Sequence, residues 1–286
     1  MTQLATKKSL SETSANMEAY FHGLLVQPLA TADKHTLHLL SGYFYKGLMQ
    51  TKAGRVGLAN YYFETGERYA RELSPDTYLW LVVQDEYLPK KAYYLHKTGQ
   101  MAAAEIMVRQ AMDTMKALEQ QGFEHLLFGR VQQYHNLARL YFTYGQTKDA
   151  IILAADLVAF LLSGRSDKLT DLNVPLYKHP EKYALLNYLF ICQVLFETLG
   201  IILKFSKGDA LRTNSAMFLG PVVAAVHQYQ PKDADEVLMK EYIDAFTFFH
   251  REEHALFRQK AASFNKEHVA FYPDSRKVML EYAAAC

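Results

Sequence analysis

Cysteine, excess charge of either sign and strand-forming patterns are all scarce in this chain, and each scarcity removes a class of function. Only two cysteines occur in 286 residues, Cys192 inside an apolar run and Cys286 at the last position. Such a pair supplies neither a metal-ligand spacing nor a disulfide framework, so a reducing compartment fits. Lys and Arg number 31 against 30 Asp and Glu, a formal net charge of +1. No global field is available to hold nucleic acid, and no basic recognition helix stands out, so nucleic acid is not an expected partner. Sustained two-residue alternation is rare, and no Asn-Gly or Asp-Gly hairpin turn occurs, which disfavours sheets.

Familiar catalytic signatures are also missing. The chain has no glycine-rich phosphate loop, no G-x-S-x-G nucleophile turn and no E-x-x-H pair of the kind that di-iron carboxylate bundles use. No cofactor is implied. The start lacks an apolar leader and is polar from Ser9 to Asn16, which points to a cytoplasmic location. One run, Ala184 to Leu203, is long enough to cross a bilayer, but Asn187, Gln193 and Glu197 interrupt it. A carboxylate in lipid is costly, whereas a helix buried among helices can partner a few polar groups. The run therefore reads as a core helix, and no membrane is expected as a partner.

What remains is helical period along almost the whole length. Ala59, Tyr62, Phe63, Gly66, Ala70 and Leu73 recur at three- and four-residue intervals, with Asn60, Glu64, Glu67 and Arg68 opposite. Ser74-Pro75 reads as a helix start, and Pro89 as a kink in the helix that ends at Thr98-Gly99. Further helices are expected over 101–120, 124–144 and 147–162, then over 184–203, 214–228 with an interruption near Gly220-Pro221, from Asp233 with Glu236 as a capping box, and after Pro273. Polar residues between Ser163 and Lys182 mark the best internal boundary. The expected organisation is 1–31 as an N-terminal segment and helix, 32–164 as helical hairpins, 165–182 as a linker loop, and 183–286 as a C-terminal helical region packing on the hairpins.

Three of the expected turns share a signature. Gly54, Gly99 and Gly145 are each followed five residues later by an alanine (Ala59, Ala104, Ala150) and preceded by seven residues by a small one (Gly47, Ala92, Ala138). Tightly joined antiparallel helices need a glycine to leave the first helix and small side chains where the second crosses it. The pattern resembles the tetratricopeptide hairpin, best in Tyr134, Leu137, Ala138, Tyr141, Gly145 and Ala150, more partially in Ala92, Leu95, Gly99 and Ala104, and least in Tyr43, Gly47, Gly54 and Ala59. The resemblance spans about 39–162. Gly54 to Gly99 is 45 residues and Gly99 to Gly145 is 46, against about 34 in the standard repeat, so the helices would be longer, as in enlarged tetratricopeptide-like or HEAT-like hairpins.

The resemblance implies an all-α superhelical stack of hairpins whose concave side holds an extended segment of a protein partner. Carried over position by position, the implied groove residues are Tyr93, His96 and Lys97 in one hairpin and Gln132, His135 and Arg139 in the next. Aromatic faces mixed with cations suit an acidic or C-terminal peptide. The family's carboxylate-clamp set is not reproduced; Asn136 alone falls in frame. The same residues would also make an ordinary solvated helix face.

One string has catalytic form. His250, Glu253 and His254 match H-x-x-E-H, an inverted zinc-peptidase pattern that would place two histidines on one helical face and Glu253 within an apolar stripe. A structural His–Glu pair is the competing reading, since a third ligand would have to come from Glu267 or Glu281 in a short tail. The sequence therefore supports a non-enzymatic, peptide-binding helical-repeat scaffold, with a helical metal-dependent hydrolase or small-ligand binder using His250, Glu253 and His254 as the alternative. A homodimer through the C-terminal apolar helices is a further expectation.

Overall fold

The computed structural model describes residues 19–75, 77–172, 183–267 and 275–285. Every regular element among them is helical: α1 (19–26), α2 (Thr31–Lys52), α3 (Val56–Ala70), α4 (Tyr78–Lys97), α5 (Met101–Glu119), α6 (Leu126–Thr143), α7 (Thr147–Ser163), α8 (Ala184–Phe205), α9 (Gly208–Val226), α10 (Ala234–His250), α11 (His254–Glu267) and α12 (Ser275–Ala285), with a single 3-10 turn at Thr170–Leu172. The all-α expectation holds, and neighbouring helices pack in pairs. The polar segment at Ser9–Asn16, the Asn173–Pro175 and His179–Pro180 stretches, Pro273 and Cys286 lie outside the described residues.

Packing divides the chain into two compact units, one of residues 16–145 and one in which 146–286 cohere. This division falls between residues 145 and 146, and most of the expected linker at 165–182 lies outside the described residues. The cause of the division is α7, which packs on α8 and α9 within the second unit and buries Ile151, Ala155, Val158 and Leu162 there. α6 and α7, the two arms of the third expected hairpin, consequently belong to different units.

The first unit is built on the glycine turns. Gly54, Gly99 and Gly145 all adopt positive φ, at 72°, 76° and 76°, the left-handed conformation that glycine reaches without a Cβ penalty. At the first two, the next amide closes the helix end, Arg55 N on Gln50 O and Gln100 N on Leu95 O, each at 2.9 Å. The chain reverses there, and α2 packs on α3, α4 on α5. Small residues permit the approach: a Cβ on Gly66 would lie 2.5 Å from Phe44, and one on Gly47 2.9 Å from Phe63. Ala59, Ala92 and Ala104 are buried at the same kind of crossing. α2 also packs on α4, and α5 on α6.

Helix ends correct the sequence reading in three places. α4 starts at Tyr78, capped by the Thr77 hydroxyl, which accepts from Trp80 N at 3.2 Å; Ser74-Pro75 precede it as a turn. Pro89 and Pro221 sit inside unbroken helices α4 and α9, where each removes one amide donor without ending the helix. The Asp233 cap is as expected, its carboxylate accepting from Glu236 N at 2.9 Å, while Glu236 accepts from Lys232 N at 2.8 Å.

The second unit is closed by aromatics. Tyr242 and Phe246 of α10 meet Phe196, Phe257, Phe264 and Tyr282 at centroid distances of 4.8 to 5.5 Å, mostly edge to face, a favoured geometry for ring quadrupoles. α8 is long and apolar enough to cross a membrane, and half of its most apolar window is buried inside this unit. Asn187, one of its polar interruptions, donates to Leu161 O at 3.0 Å. Burial pushes the Cys192 thiol upward, which leaves it an inert core residue.

Candidate functional site

α4 and α6 both wall a cavity of about 320 Å³ in the first unit. Helical spacing places Pro89, Ala92, Tyr93, His96 and Lys97 on one face of α4, because these positions recur at three- and four-residue intervals. From α6 come Gln133, Asn136, Arg139 and Leu140, and Val108 of α5 completes the lining. Ala92, Val108 and Leu140 make the buried apolar part of the lining.

Of the six groove residues expected from the sequence, the structure brings four to this one cavity: Tyr93, His96, Lys97 and Arg139. Gln132 is half-buried outside the lining and donates to Asn136 Oδ1 at 3.1 Å. His135 is buried, with 2% of its surface exposed, so it is a core residue and not a groove residue. The reason is rotational: the turn of α6 that sends Asn136 and Arg139 to the cavity leaves His135 buried and out of its lining. Gln133, which the sequence reading passed over, takes a lining position instead. Its signal was present in the spacing to Asn136 and Leu140, three and seven residues on.

Local contacts preorganise these side chains. Arg139 Nη1 donates to Asn136 Oδ1 at 3.0 Å, and Asn136 Nδ2 donates to Gln133 Oε1 at 3.2 Å, so the guanidinium is held across the face of α6. Lys97 Nζ lies 5.5 Å from the Tyr93 ring centroid, a cation–π contact that keeps the exposed ammonium beside the cavity. His96 Nδ1 is 3.4 Å from the Tyr144 hydroxyl. Burial and the adjacent Lys97 charge push the His96 imidazole below its ordinary value, favouring the neutral ring at pH 7. The cavity thus offers two cations from different helices, two amides, a neutral imidazole and a phenol beside apolar atoms.

A second polar cluster joins α1 to α4. His22 Nδ1 lies 3.0 Å from Glu86 Oε1, and Lys90 Nζ 2.6 Å from Glu86 Oε2. Burial by itself would raise Glu86, but hydrogen bonds and charge from His22 and Lys90 hold its carboxyl at about 2. Beside it, burial and the Glu86 charge push Asp85 up to about 7. Asp85 Oδ1 has no hydrogen-bond partner among the described residues. The Tyr78 hydroxyl donates to Leu25 O at 2.5 Å, and burial with the nearby Asp85 raises that phenol to about 12. The i,i+4 spacing of Glu86 and Lys90 was legible; the reach of His22 was not.

The H-x-x-E-H string is broken. α10 ends at His250 and α11 begins at His254, with Glu252 between them at a φ of 60°. Glu252 N donates to Phe249 O at 3.1 Å and Glu253 N to Phe248 O at 2.9 Å, a helix-terminating pair of bonds. The histidines therefore do not share one helical face, and Glu253 is exposed instead of lying in an apolar stripe. No group of three metal-ligating side chains exists among the described residues. Comparison with protein-family models, with curated proteins and with solved structures finds no match to this chain.

Proposed function

We propose that the first unit is a peptide-binding module that receives an acidic or C-terminal segment of a partner protein in the cleft between α4 and α6. One observation carries this reading: Lys97 and Arg139, on separate helices, line the same 320 Å³ cavity together with buried Ala92, Val108 and Leu140. A carboxylate between them gains two charge-assisted bonds, and arginine adds the option of a bidentate grip. Asn136 fixes Arg139, so little side-chain entropy is lost on binding. Neutral His96 and Tyr93 suit the flanking backbone and an apolar or aromatic side chain of the peptide.

The test is fluorescence anisotropy with a labelled acidic peptide presented with a free C-terminus and as its amide. Arg139→Glu should weaken the free-acid peptide by roughly 10- to 100-fold, as expected for removing a charge-assisted bond and adding repulsion. An affinity unchanged by Arg139→Glu would refute the reading.

A further inference from the structure

The second unit holds a larger cavity, of about 1100 Å³, slightly above the usual range of small-molecule sites. Four cations stand around it: Lys204 at the end of α8, Lys207 in the following turn, Arg212 on α9 and Lys277 on α12. Lys207 and Arg212 make no ion pair among the described residues, Lys204 lies 4.9 Å from the Phe205 ring centroid, and Lys277 reaches Glu281 only at 3.8 Å. Glu197 and Glu281 are the acidic residues of the lining, so cations outnumber them. Gly208 also borders the cavity, where the start of the 19-residue helix α9 presents unpaired amides and the positive end of its dipole.

Phe196, Leu211, Phe249 and Val278 are buried apolar residues of the same lining. His254 of α11 lines the cavity too, and its Nδ1 is buried with no hydrogen-bond partner among the described residues. An inorganic anion would use the cations and leave the apolar lining wet. A neutral hydrocarbon would fill the apolar lining and leave the excess of cations around it without a counter-charge. Both halves are satisfied by one molecule that has both characters.

We propose that this cavity binds a soluble anionic amphiphile, a molecule with a phosphate or carboxylate head held by Lys204, Lys207, Arg212 and Lys277 and an aliphatic body against Phe196, Phe249 and Val278. The head group lies at the start of α9, where unsatisfied backbone amides add to the side-chain donors. His254 Nδ1 gains its partner from the bound head or from a water beside it. The site belongs to the second unit alone and is independent of the peptide cleft.

Calorimetric titration of the full chain with octyl phosphate, octanol and inorganic phosphate, each below any micelle concentration, tests this. Octyl phosphate should bind one to one and at least 10-fold more tightly than either of the other two. The double variant Lys207→Glu with Arg212→Glu, both exposed positions, should weaken it by at least 10-fold while leaving the circular dichroism spectrum and the acidic-peptide affinity unchanged. Octanol binding as tightly as octyl phosphate, inorganic phosphate matching it, indifference to the double variant, or attachment only to phosphatidylserine vesicles would each overturn the proposal. Added salt supplies a second reading, since the head-group share of the affinity should fall as ionic strength rises.

Discussion

The two units bury comparable lengths of helix by different means. Between residues 16 and 145, helices touch through small residues at crossings and through polar bridges at the rims: Tyr87 and Lys91 of α4 both bond Glu67 of α3, at 2.8 and 2.6 Å, and Tyr94 meets Asn60 at 3.2 Å. Arg130 and Glu119 join α6 to α5 by two bonds, at 2.6 and 2.9 Å, although they retain only 1% and 8% side-chain exposure. Beyond residue 146 aromatic rings on α8, α10, α11 and α12 join into one connected cluster, whereas ring pairs of the first unit such as Phe44–Tyr87 and Phe63–Tyr94 stand apart from one another. A core fastened by glycines and directional bonds tolerates little change in shape, whereas one filled by rings loses most when volume is removed.

That contrast can be broken most forcefully in the second unit. Phe246→Ala, at a position 1% exposed, removes a ring that touches Tyr242, Phe249, Phe257 and Tyr282. The expected cost is about 3–5 kcal/mol, read from urea unfolding, with acidic-peptide affinity retained at denaturant-free conditions. A smaller effect, about 1–3 kcal/mol from overpacking, is expected for Gly66→Ala in the first unit, where the new methyl would meet Phe44 at 2.5 Å. The unequal responses should appear as separate transitions if each unit unfolds on its own.

The gentlest probe is pH. Asp85 is raised to about 7 by burial, so its folded form binds a proton more tightly than the unfolded chain, whose carboxyl titrates near about 4. The stability tied to that proton is complete below about 4 and is lost as pH climbs through about 7. Glu86, held at about 2, acts in the opposite sense: its contribution is present above about 4.3 and disappears as pH falls toward 2. Asp85→Asn should therefore flatten the decline of first-unit stability between pH 4 and 7 and leave the acid limb intact. Chemical denaturation across that range checks it, and an unchanged slope would contradict the burial of Asp85.

Much of this contrast was written locally in the chain. Gly54, Gly99 and Gly145 announced their turns because a left-handed residue after a helix strongly favours glycine, and Asp233 with Glu236 announced a cap because the two groups lie within one turn. The break at Glu252 was illegible: no glycine or proline marks it, and the apolar spacing of Phe246, Phe249 and Phe257 continues through it. His135 misled for a related reason, since helical periodicity fixes which residues share a face but not how far the helix is rotated against its neighbours. The cation-lined cavity of the second unit depends on α8, α9, α11 and α12 meeting, which no local pattern records.

The peptide-cleft account stands most directly on a charge exchange. The variant carrying both Lys97→Glu and Arg139→Glu should lose the acidic peptide and acquire measurable affinity for the same peptide with its acidic residues replaced by lysine, with both affinities weakening as salt is added. Equal affinities of the parent and the exchanged protein for the two peptides would contradict the claim that these two helices grip a carboxylate between them.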